Sequence, residues 1–383
     1  MSEVGPTIFV SAGEVSGDAH GAGVISALRQ RFPDASFFGV GGDKMAAAGL
    51  ELLAHVQALA VIGFAEVLRL VPLIYRTRQR ILREITSRNP DLLILIDYPG
   101  FHLSLLRKVR KLQLARRPKV LYYISPQVWA WRAGRAKELA SLADHIAVIF
   151  PFETNIYDEV GLPCTFVGHP LLDELEEIPP RGQFLKSLGL EPDDRVVALL
   201  PGSRQQEVRR HLPVMLASAA ILKRFVPAVR FVVAQAPSLP RHLYEQLASE
   251  HSIAAISNQT HAILAHANSA WVKSGSGTME AAYFGNPFVV IYRTSGVTYR
   301  LSKWVVKVPY IAMPNILAGE KVVTELVQRD ATAERLASET VPFLLDSKAV
   351  ESFRKRLKPV REALGVPGAA QRVADIAAKL IAS

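Results

Sequence analysis

Ten short apolar runs, separated by helix-like segments, constrain the fold of this 383-residue chain more than any other feature. The first half contains TIFVSAG, ASFFGVGG, DLLILID, KVLYYIS, HIAVIFP and CTFVGHP, and the second contains RVVALLPGS, VRFVVAQ, SAWVKSG and PFVVIYR. Continuous aliphatic and β-branched runs of this length are typical of parallel strands that helices cover on both faces. The pattern therefore predicts an α/β fold built on doubly wound parallel sheets.

The length of the chain favours two or three domains over a single small core, and we expect two. Residues 172–195 are acidic, carry prolines and lack a strand pattern, so we place the domain junction there. The predicted division is a first domain over 1–175 and a second over 176–365. The last helix, 366–383, is a candidate to cross back and join the first domain.

Composition indicates a chain that folds throughout. Hydrophobic residues make up 49% and charged residues 21%, without a low-complexity tract, which excludes a disordered protein. Cys164 is the only cysteine, so an internal disulfide is excluded. The N-terminus lacks the basic-then-apolar pattern of a signal peptide, and with the lone thiol this predicts a cytoplasmic location.

Positive charge is concentrated in one part of the sequence. Between Arg69 and Lys119 there are 13 Lys or Arg residues against 3 acids, an excess as large as the net charge of +10 of the whole chain. A basic surface of this density suits a phosphate-rich partner, either nucleic acid or an anionic membrane. We expect no nucleic acid partner, because neither aromatic interleaving nor a known binding motif accompanies the charge.

The neighbouring stretch ALAVIGFAEVLRLVPLIY, residues 58–75, bears on the membrane hypothesis. Its two charges, Glu66 and Arg69, share one narrow stripe of a helix, and together with Pro72 they argue against a spanning segment. The stretch fits a helix in the bilayer interface, followed by arginines that meet lipid phosphates, and it equally fits a buried core helix beside an ordinary basic surface. The predicted docking residues are Val67, Leu68, Val71, Arg76, Arg78 and Arg80.

The segment VKSGSGTMEAAYFGNPFVVIY, residues 272–292, places small residues between a strand and a helix. Small residues at a strand end let the backbone approach a ligand, and the free amides and positive dipole of the following helix attract phosphate. An acid near the helix start can accept hydrogen bonds from the hydroxyls of a ribose. The same pattern occurs as ordinary turn and capping chemistry, so both interpretations stay open. The candidate nucleotide-binding residues are Ser274, Gly275, Ser276, Gly277, Thr278 and Glu280.

A second strand end favours the nucleotide interpretation. PGSRQQEVRRHLP places Arg204 at the start of a helix, after a turn made by Gly202 and Ser203, where the guanidinium could hold a diphosphate through two parallel hydrogen bonds. The sequence has no D-x-D pair for a magnesium-bound pyrophosphate, and its scattered histidines do not match metal-ligand spacing. We therefore expect neither a metal nor a cofactor, with arginine and helix dipoles stabilising the leaving-group charge.

Nine motifs, taken in order, give the chain a family resemblance. They are SAGEVSGDAHGA, FGVGGDKMAAAG, IGFAEVL, LIDYPGFHL, YYISPQVWAWR, VGHPL, LLPGSRQQEV, SGSGTMEAA and MPNILAGE. In this order they resemble the lipid-A-disaccharide synthases, inverting glycosyltransferases with two Rossmann-like domains that face a central cleft, the GT-B fold. The chain departs from the family at Gly100, where a second acid is common, at His102, where asparagine is common, and at Ser276 and Gly277, where threonine and alanine are common.

The resemblance implies transfer of 2,3-diacylglucosamine from its UDP derivative to 2,3-diacylglucosamine 1-phosphate with inversion, which gives a β-1,6-linked disaccharide and UDP. Such a displacement needs a base for the acceptor hydroxyl and charge stabilisation for the departing UDP. Asp97, at a strand end, is the candidate base, although a helix cap is the commoner role for such an aspartate without the resemblance. Arg204 and the amides of 274–278 would hold the diphosphate. By resemblance Asn315 lies near the donor, and the acceptor side is shaped by Gly13, Glu14, Gly17 and Asp18.

The implied substrates also account for the basic region. Both sugars carry acyl chains that sit in a bilayer, which predicts a protein bound peripherally to the anionic cytoplasmic face of the inner membrane. Two alternatives remain: another GT-B transferase or epimerase that uses UDP-N-acetylglucosamine, and a non-catalytic nucleotide-sugar-binding protein at the membrane surface. The oligomeric state is left open, with a homodimer among the options.

Overall fold

The structure is a computed structural model that describes residues 5–56, 64–126, 128–129, 134–244, 253–296, 299 and 309–383. The chain divides into two compact units. Unit 1 comprises Met1–Glu174 and Leu364–Ser383, and unit 2 comprises Leu175–Ala363. The chain thus leaves unit 1 once and returns to it for the last helix.

The described part of unit 1 contains a seven-stranded sheet in which every neighbouring pair is parallel. Its strands are β1 (Thr7–Ala12), β2 (Ser36–Gly41), β3 (Glu51–His55), β4 (Leu92–Ile96), β5 (Lys119–Tyr123), β6 (His145–Val148) and β7 (Cys164–Phe166), in the spatial order β3-β2-β1-β4-β5-β6-β7. Its helices are α1 (Val15–Arg31), α2 (Asp43–Ala47), α3 (Phe64–Arg88), α4 (Pro99–Val109), α5 (Gly134–Leu142) and α6 (Glu153–Asp158). The strand order reverses direction between β1 and β4.

Unit 2 repeats this plan with a six-stranded parallel sheet in its described residues. Its strands are β8 (Arg195–Leu200), β9 (Val229–Gln235), β10 (Ala254–Ser257), β11 (Ser269–Lys273), β12 (Phe288–Tyr292) and β13 (Thr324–Val327), in the order β10-β9-β8-β11-β12-β13. Its helices are α7 (Arg181–Ser187), α8 (Gln205–Phe225), α9 (Thr260–His266), α10 (Gly277–Phe284), α11 (Met313–Ala318), α12 (Ala333–Leu345) and α13 (Ser347–Glu362). Here the order reverses between β8 and β11.

The predicted α/β fold with doubly wound parallel sheets is confirmed, and all ten apolar runs contain strands. Three further strands, β3, β10 and β13, were not predicted, and each lies at an edge of its sheet. Central strands such as β4 are buried along their whole length, whereas the three edge strands have mostly half-buried or exposed residues. An edge strand does not need a continuous apolar run, so the sequence carries no strong signal for it.

The last helix, α14 (Ala369–Ala382), completes unit 1. The Asp173 carboxylate accepts hydrogen bonds from the backbone N–H groups of Gly368 at 2.5 Å and Ala370 at 3.0 Å. Arg372 Nε donates to the carbonyl oxygen of Val167 at 2.8 Å. A carboxylate at the start of α14 stabilises both the unpaired amides and the helix dipole, so these contacts hold the end of the chain on unit 1.

Helix α3 carries the second part of the apolar stretch and its basic flank. Its inward face buries Thr77, Ile81 and Ile85, while Leu73 and Tyr75 are 37% and 53% exposed. The side chains of 64–72 lie outside the description, so for Val67, Leu68 and Val71 only the helical backbone is given, and residues 58–63 of the stretch are not described. In the described residues, no helix has the length and apolar character needed to cross a bilayer.

The three arginines of the predicted docking set differ in their surroundings. Arg78 Nη1 donates to Ser104 Oγ at 2.8 Å, and Arg80 Nη1 donates to the carbonyl oxygen of Leu53 at 2.7 Å. Arg76 is exposed. Two of these guanidinium groups therefore help to hold α3 on unit 1, which leaves Arg76 as the one best placed to meet an external anion.

Candidate active site

The reversal point of the unit 1 sheet brings two predicted residues together. In the register of β1 and β4, Ala12 pairs with Ile96, so Gly13 and Asp97 leave the sheet from adjacent strands at the same edge. Ligands of doubly wound sheets bind at such points, beyond the carboxyl ends of the strands. The sequence-based expectation that Asp97 stands at a strand end is met by the structure.

Asp97 sits in a backbone conformation that residues other than glycine rarely adopt. Asp97 and Tyr98 have φ values of 49° and 50°. Each left-handed residue costs on the order of 1–3 kcal/mol and persists only where its surroundings over-determine it. The Asp97 carbonyl oxygen accepts two hydrogen bonds of 2.6 Å, from His102 Nδ1 and from the Tyr122 hydroxyl, while the Asp97 N–H donates to Tyr123. These bonds fix the peptide that orients the carboxylate.

A glycine is required at position 13 because the Tyr98 ring, just after β4, packs closely against it. A Cβ atom on Gly13 would lie 2.1 Å from Cγ of the Tyr98 ring. Any side chain there would displace that ring and disturb the left-handed conformation of Asp97 and Tyr98. Gly13 thus contributes by allowing the end of β4 to pack over the end of β1.

The environment of Asp97 adjusts its basicity. Burial, and then the nearby carboxylate of Glu14, raise the pKa of Asp97 to about 6. A general base works best when its pKa approaches the operating pH while it stays ionised. The geometry and the pKa of Asp97 therefore suit proton abstraction near neutrality.

Two other residues of the predicted acceptor side have structural contacts. Asp18 is buried, and its carboxylate accepts backbone hydrogen bonds from Gly42 at 2.6 Å, Met45 at 3.0 Å and Lys44 at 3.1 Å, which caps α2. Gly17 lies where a Cβ atom would be 3.1 Å from the Ala12 side chain. Both residues lie at the start of α1, and contact with an acceptor stays a prediction.

Unit 2 has a pocket of about 240 Å³ at its own reversal point. In the register of β8 and β11, Leu200 pairs with Val272, so the two loops that follow leave the sheet side by side. The N-termini of α8 and α10 begin directly after these loops. The pocket is lined by Leu200, Gly202, Ser203, Glu207, Ala234, Ala236, Pro237, Thr260, Val272, Lys273, Gly275, Ser276, Gly277 and Glu280. Backbone amides at helix starts and small residues give it the character of an anion site.

Glu207, in the first turn of α8, connects the charged groups of this pocket. Its carboxylate lies 2.8 Å from Lys273 Nζ and 3.6 Å from Arg204 Nη1. It also accepts a hydrogen bond from the Ser203 N–H at 3.2 Å. Gly202 has φ 122°, and a Cβ atom there would lie 2.5 Å from the Glu207 carboxylate, so only glycine fits. The Glu207 carboxylate thus lies close to two cations, Lys273 and Arg204, and to one backbone amide.

Six of the ten residues predicted to bind the donor line the pocket: Gly202, Ser203, Gly275, Ser276, Gly277 and Glu280. Glu280 has its carboxylate 3.7 Å from His261 Nε2. Arg204 is not a lining residue, and its side chain is 44% exposed beside the pocket residue Glu207. The predicted phosphate and ribose residues therefore meet at one site, although their contacts with a donor stay predictions.

The other three predicted donor residues have side chains that bind the protein itself. Thr278 Oγ1 donates to the Gly275 carbonyl oxygen at 2.6 Å, and Ser274 Oγ donates to that of Ile311 at 3.0 Å. Asn315 is fully buried, and its amide nitrogen donates to Glu325 Oε1 at 2.8 Å. These side chains hold the loops around the pocket in place.

Glu325 is a residue of this network that the sequence did not reveal. Its carboxylate accepts hydrogen bonds from the N–H groups of Ile311 and Ala312, at 3.1 Å and 2.9 Å, just before α11. Ser274 Oγ donates to the carbonyl oxygen of Ile311, the residue whose N–H group donates to Glu325. Glu325, and through it Asn315, is therefore linked to the small-residue loop of the pocket. Nothing in the sequence around TELV marks this acid, since its partners are distant backbone groups.

Three further pocket residues were not predicted from the sequence: Ala236 and Pro237, which follow β9, and Thr260 at the start of α9. The same rule that selected the ends of the other strands would have found the first two after VRFVVAQ. Thr260 follows the edge strand β10, which has no clear strand pattern, so it lacked such a signal.

Comparisons with known proteins agree on one family. A family model described as lipid-A-disaccharide synthetase matches residues 8–377. A lipid-A-disaccharide synthase from Geobacter metallireducens is 41% identical over 379 residues, which cover 98% of this chain and 97% of the relative. A second, from Geobacter sulfurreducens, is 42% identical over 376 residues with the same coverage.

A solved structure of a differently named enzyme shares the fold. The UDP-GlcNAc 2-epimerase from Neisseria meningitidis, solved with UDP-GlcNAc, has a TM-score of 0.63 at 12% identity, covering 97% of this chain and 100% of that chain. At so low an identity the likeness concerns the fold alone, and it agrees with the two α/β units described above.

Proposed function

The chain belongs to the lipid-A-disaccharide synthetase family and is a glycosyltransferase, and from this premise we propose the reaction and the roles of its residues. It transfers 2,3-diacylglucosamine from its UDP derivative to 2,3-diacylglucosamine 1-phosphate. The anomeric carbon is inverted, a β-1,6 linkage forms, and UDP leaves.

The observation that carries the proposal is the pocket between the ends of β8 and β11. Two helix N-termini and the cation Lys273 line it, and Arg204 lies beside the lining residue Glu207. This arrangement suits a diphosphate whose negative charge grows as the glycosidic bond to UDP breaks. Glu280 lies in the same pocket and provides an acceptor for ribose hydroxyls. Unit 2 thus supplies leaving-group stabilisation.

Asp97 supplies the base from unit 1. Its carboxylate takes the proton of the acceptor 6-hydroxyl as that oxygen attacks the anomeric carbon. A pKa of about 6 keeps most of the carboxylate ionised at neutral pH and makes it a stronger base than an ordinary aspartate. Gly13 and Glu14, between β1 and α1, and Gly17 and Asp18, at the start of α1, form the acceptor side.

The substrates are lipids, so we propose that unit 1 docks on the anionic cytoplasmic surface of the inner membrane. Exposed Leu73 and Tyr75 provide apolar contact, and exposed Arg76 provides a charge for lipid phosphates. Leu73 and Tyr75 belong to the apolar stretch 58–75, whose predicted docking residues Val67, Leu68 and Val71 remain part of the proposal.

The test is a UDP-release assay with diacylated donor and acceptor, accompanied by identification of the disaccharide product. Wild type should turn over with or without a chelator, and Asp97→Ala and Arg204→Ala should each be strongly impaired. Turnover of UDP-N-acetylglucosamine with no reaction of the diacylated donor would indicate a different GT-B enzyme. Absence of UDP release from every donor, with UDP binding retained, would support a non-catalytic protein.

A further inference from the structure

His102 is a fully buried histidine that the proposed reaction does not use. It lies on α4, one turn beyond Asp97, with none of its surface exposed. Its Nδ1 atom is 2.6 Å from the carbonyl oxygen of Asp97, and its Nε2 atom is 2.9 Å from Ser11 Oγ on β1. The ring therefore links the neighbouring strands β1 and β4 through the very peptide that carries the candidate base.

The contacts of His102 define a single protonation state. A carbonyl oxygen can only accept, so the Nδ1 atom must carry the hydrogen that it donates to Asp97. Burial lowers the pKa of His102 to about 4, which keeps the ring neutral near pH 7. The Nε2 atom then has a free lone pair and accepts a hydrogen bond from the Ser11 hydroxyl. Both ring nitrogens are thus satisfied by neutral partners.

Aromatic neighbours restrict the ring further. The His102 ring centroid lies 6.0 Å from that of Tyr98, 5.8 Å from that of Phe101 and 6.2 Å from that of Tyr122, all in edge-to-face arrangements. The Tyr122 hydroxyl also donates to the Asp97 carbonyl oxygen at 2.6 Å. Two rigid, buried donors therefore converge on one oxygen atom, next to two successive left-handed residues.

We propose that His102 is a positioning residue for the base: together with Tyr122 it holds the Asp97 peptide in its left-handed conformation and so sets the direction of the Asp97 carboxylate. The proposal rests on the proposed role of Asp97 in the reaction. Without a donor at Nδ1, the carbonyl can rotate toward the common extended or helical conformations, and the Cα–Cβ bond of Asp97 turns with it. The carboxylate then moves away from the acceptor hydroxyl.

The test compares four single variants of the full-length protein. His102→Leu removes the donor, and His102→Asn restores it, because an amide nitrogen can occupy the place of Nδ1. Tyr122→Phe removes the second donor to the same carbonyl. Ser11→Ala is the matched control, since it breaks the other hydrogen bond of the His102 ring but leaves its bond to Asp97.

We expect His102→Leu to lower kcat by roughly 10- to 100-fold, the loss typical of a small misplacement of a reacting group. The KM for the donor and the affinity for UDP should stay near their wild-type values, because both depend on unit 2. His102→Asn should recover most of kcat, Tyr122→Phe should lower it, and Ser11→Ala should leave it near wild type even where thermal stability falls. Asp97→Asn, measured beside these variants, should be inactive.

Two results would overturn the positioning role. One is wild-type kcat in His102→Leu while Asp97→Asn is inactive. The other is equal loss in His102→Asn and His102→Leu with both proteins folded. If His102→Leu does not fold, Tyr122→Phe and His102→Asn decide the matter, because unchanged kcat in the first or a large loss in the second contradicts the proposal. Full activity of Asp97→Asn would instead refute Asp97 as the base, a failure of the proposed function that this comparison identifies separately.

Discussion

The carboxylate of Glu207 lies 2.8 Å from the ammonium group of Lys273, and both side chains line the pocket at the carboxyl ends of β8 and β11. The pair is 16% exposed at each side chain. A lysine held in this place needs only a small movement to contact a diphosphate, because its charge is already beside the helix starts. We therefore propose Lys273 as a second cation for the leaving group, alongside the proposed role of Arg204.

Lys273→Met should weaken UDP binding by roughly tenfold, the equivalent of one charge-assisted hydrogen bond. Binding of uridine, which has no phosphate, should change little. Isothermal titration calorimetry with UDP and uridine measures both affinities. Lys348→Met, at an exposed position of α13, is the control and should bind UDP as wild type does. An equal loss for uridine and UDP would show that Lys273 supports the fold of the pocket rather than the phosphates.

Arg204→Lys should lower UDP affinity nearly as much as Arg204→Ala, by about tenfold, because an ammonium group cannot form the paired hydrogen bonds of a guanidinium. The Arg204 side chain is 44% exposed, so neither change should lower the melting temperature by much. UDP titrations and thermal melts of the three proteins check this. Full retention of affinity in the lysine variant would mean that only charge matters at this position.

Asp97→Asn should abolish transfer and, at the same time, stabilise the protein at pH 8 by on the order of 1–3 kcal/mol. Burial raises the pKa of Asp97 from 3.8 to about 6, so its ionised form destabilises the folded state. This destabilisation is fully present above pH 6 and disappears as the pH falls toward 3.8. Urea unfolding of wild type and variant at pH 8 and pH 4 should therefore show a difference that is large at the first pH and small at the second.

The effect of His102 on the free energy of unfolding has the opposite pH dependence to that of Asp97, over nearly the same pH range. Burial lowers its pKa from 6.5 to about 4, so the unfolded state binds its proton first and stability is lost as the pH falls from 6.5 to 4. His102→Asn has no titrating group there, and its free energy of unfolding should fall less steeply in acid than that of wild type. Urea unfolding at several pH values between 7 and 4 tests the difference in slope.

The central parts of the fold were predictable from sequence because burial on both faces leaves a continuous apolar run. Leu92–Ile96 is such a run, and it forms the fully buried β4. Edge strands such as Glu51–His55 mix exposed and buried residues, so their pairing depends on neighbours that are distant in sequence. Similarly, Asp18 follows a strand as expected, but the structure shows that it caps a helix 24 or more residues away, which no local pattern reveals.

In the candidate site, too, only residues with a local sequence pattern could be predicted. Asp97 and the small residues of 274–278 were predictable because strand ends of a parallel sheet converge at one edge. His102 and Glu325 act on backbone groups that tertiary structure brings near, so their residue types alone gave no indication. The positive charge of α3 was visible in the sequence, whereas the use of Arg78 and Arg80 in internal hydrogen bonds was not.

Replacing Tyr75 by Ser and Arg76 by Glu together should reduce binding to vesicles that contain anionic lipid by roughly tenfold, since each basic residue near such a surface contributes about 1 kcal/mol. Both positions are exposed, so the fold should be retained. Vesicle sedimentation at low and high salt measures the effect, and Lys355→Glu on α13 is the control. Unchanged binding in the double variant would remove this face of α3 from the docking surface.

The return of α14 to unit 1 sets an order for biosynthesis. The sheet of unit 1 is encoded before residue 175, yet the helix capped by Asp173 is encoded after the whole of unit 2. Unit 2 is encoded without interruption, whereas unit 1 lacks α14 until all of unit 2 has been translated. A chain truncated before residue 369 would therefore lack one helix of unit 1, the unit that is translated first.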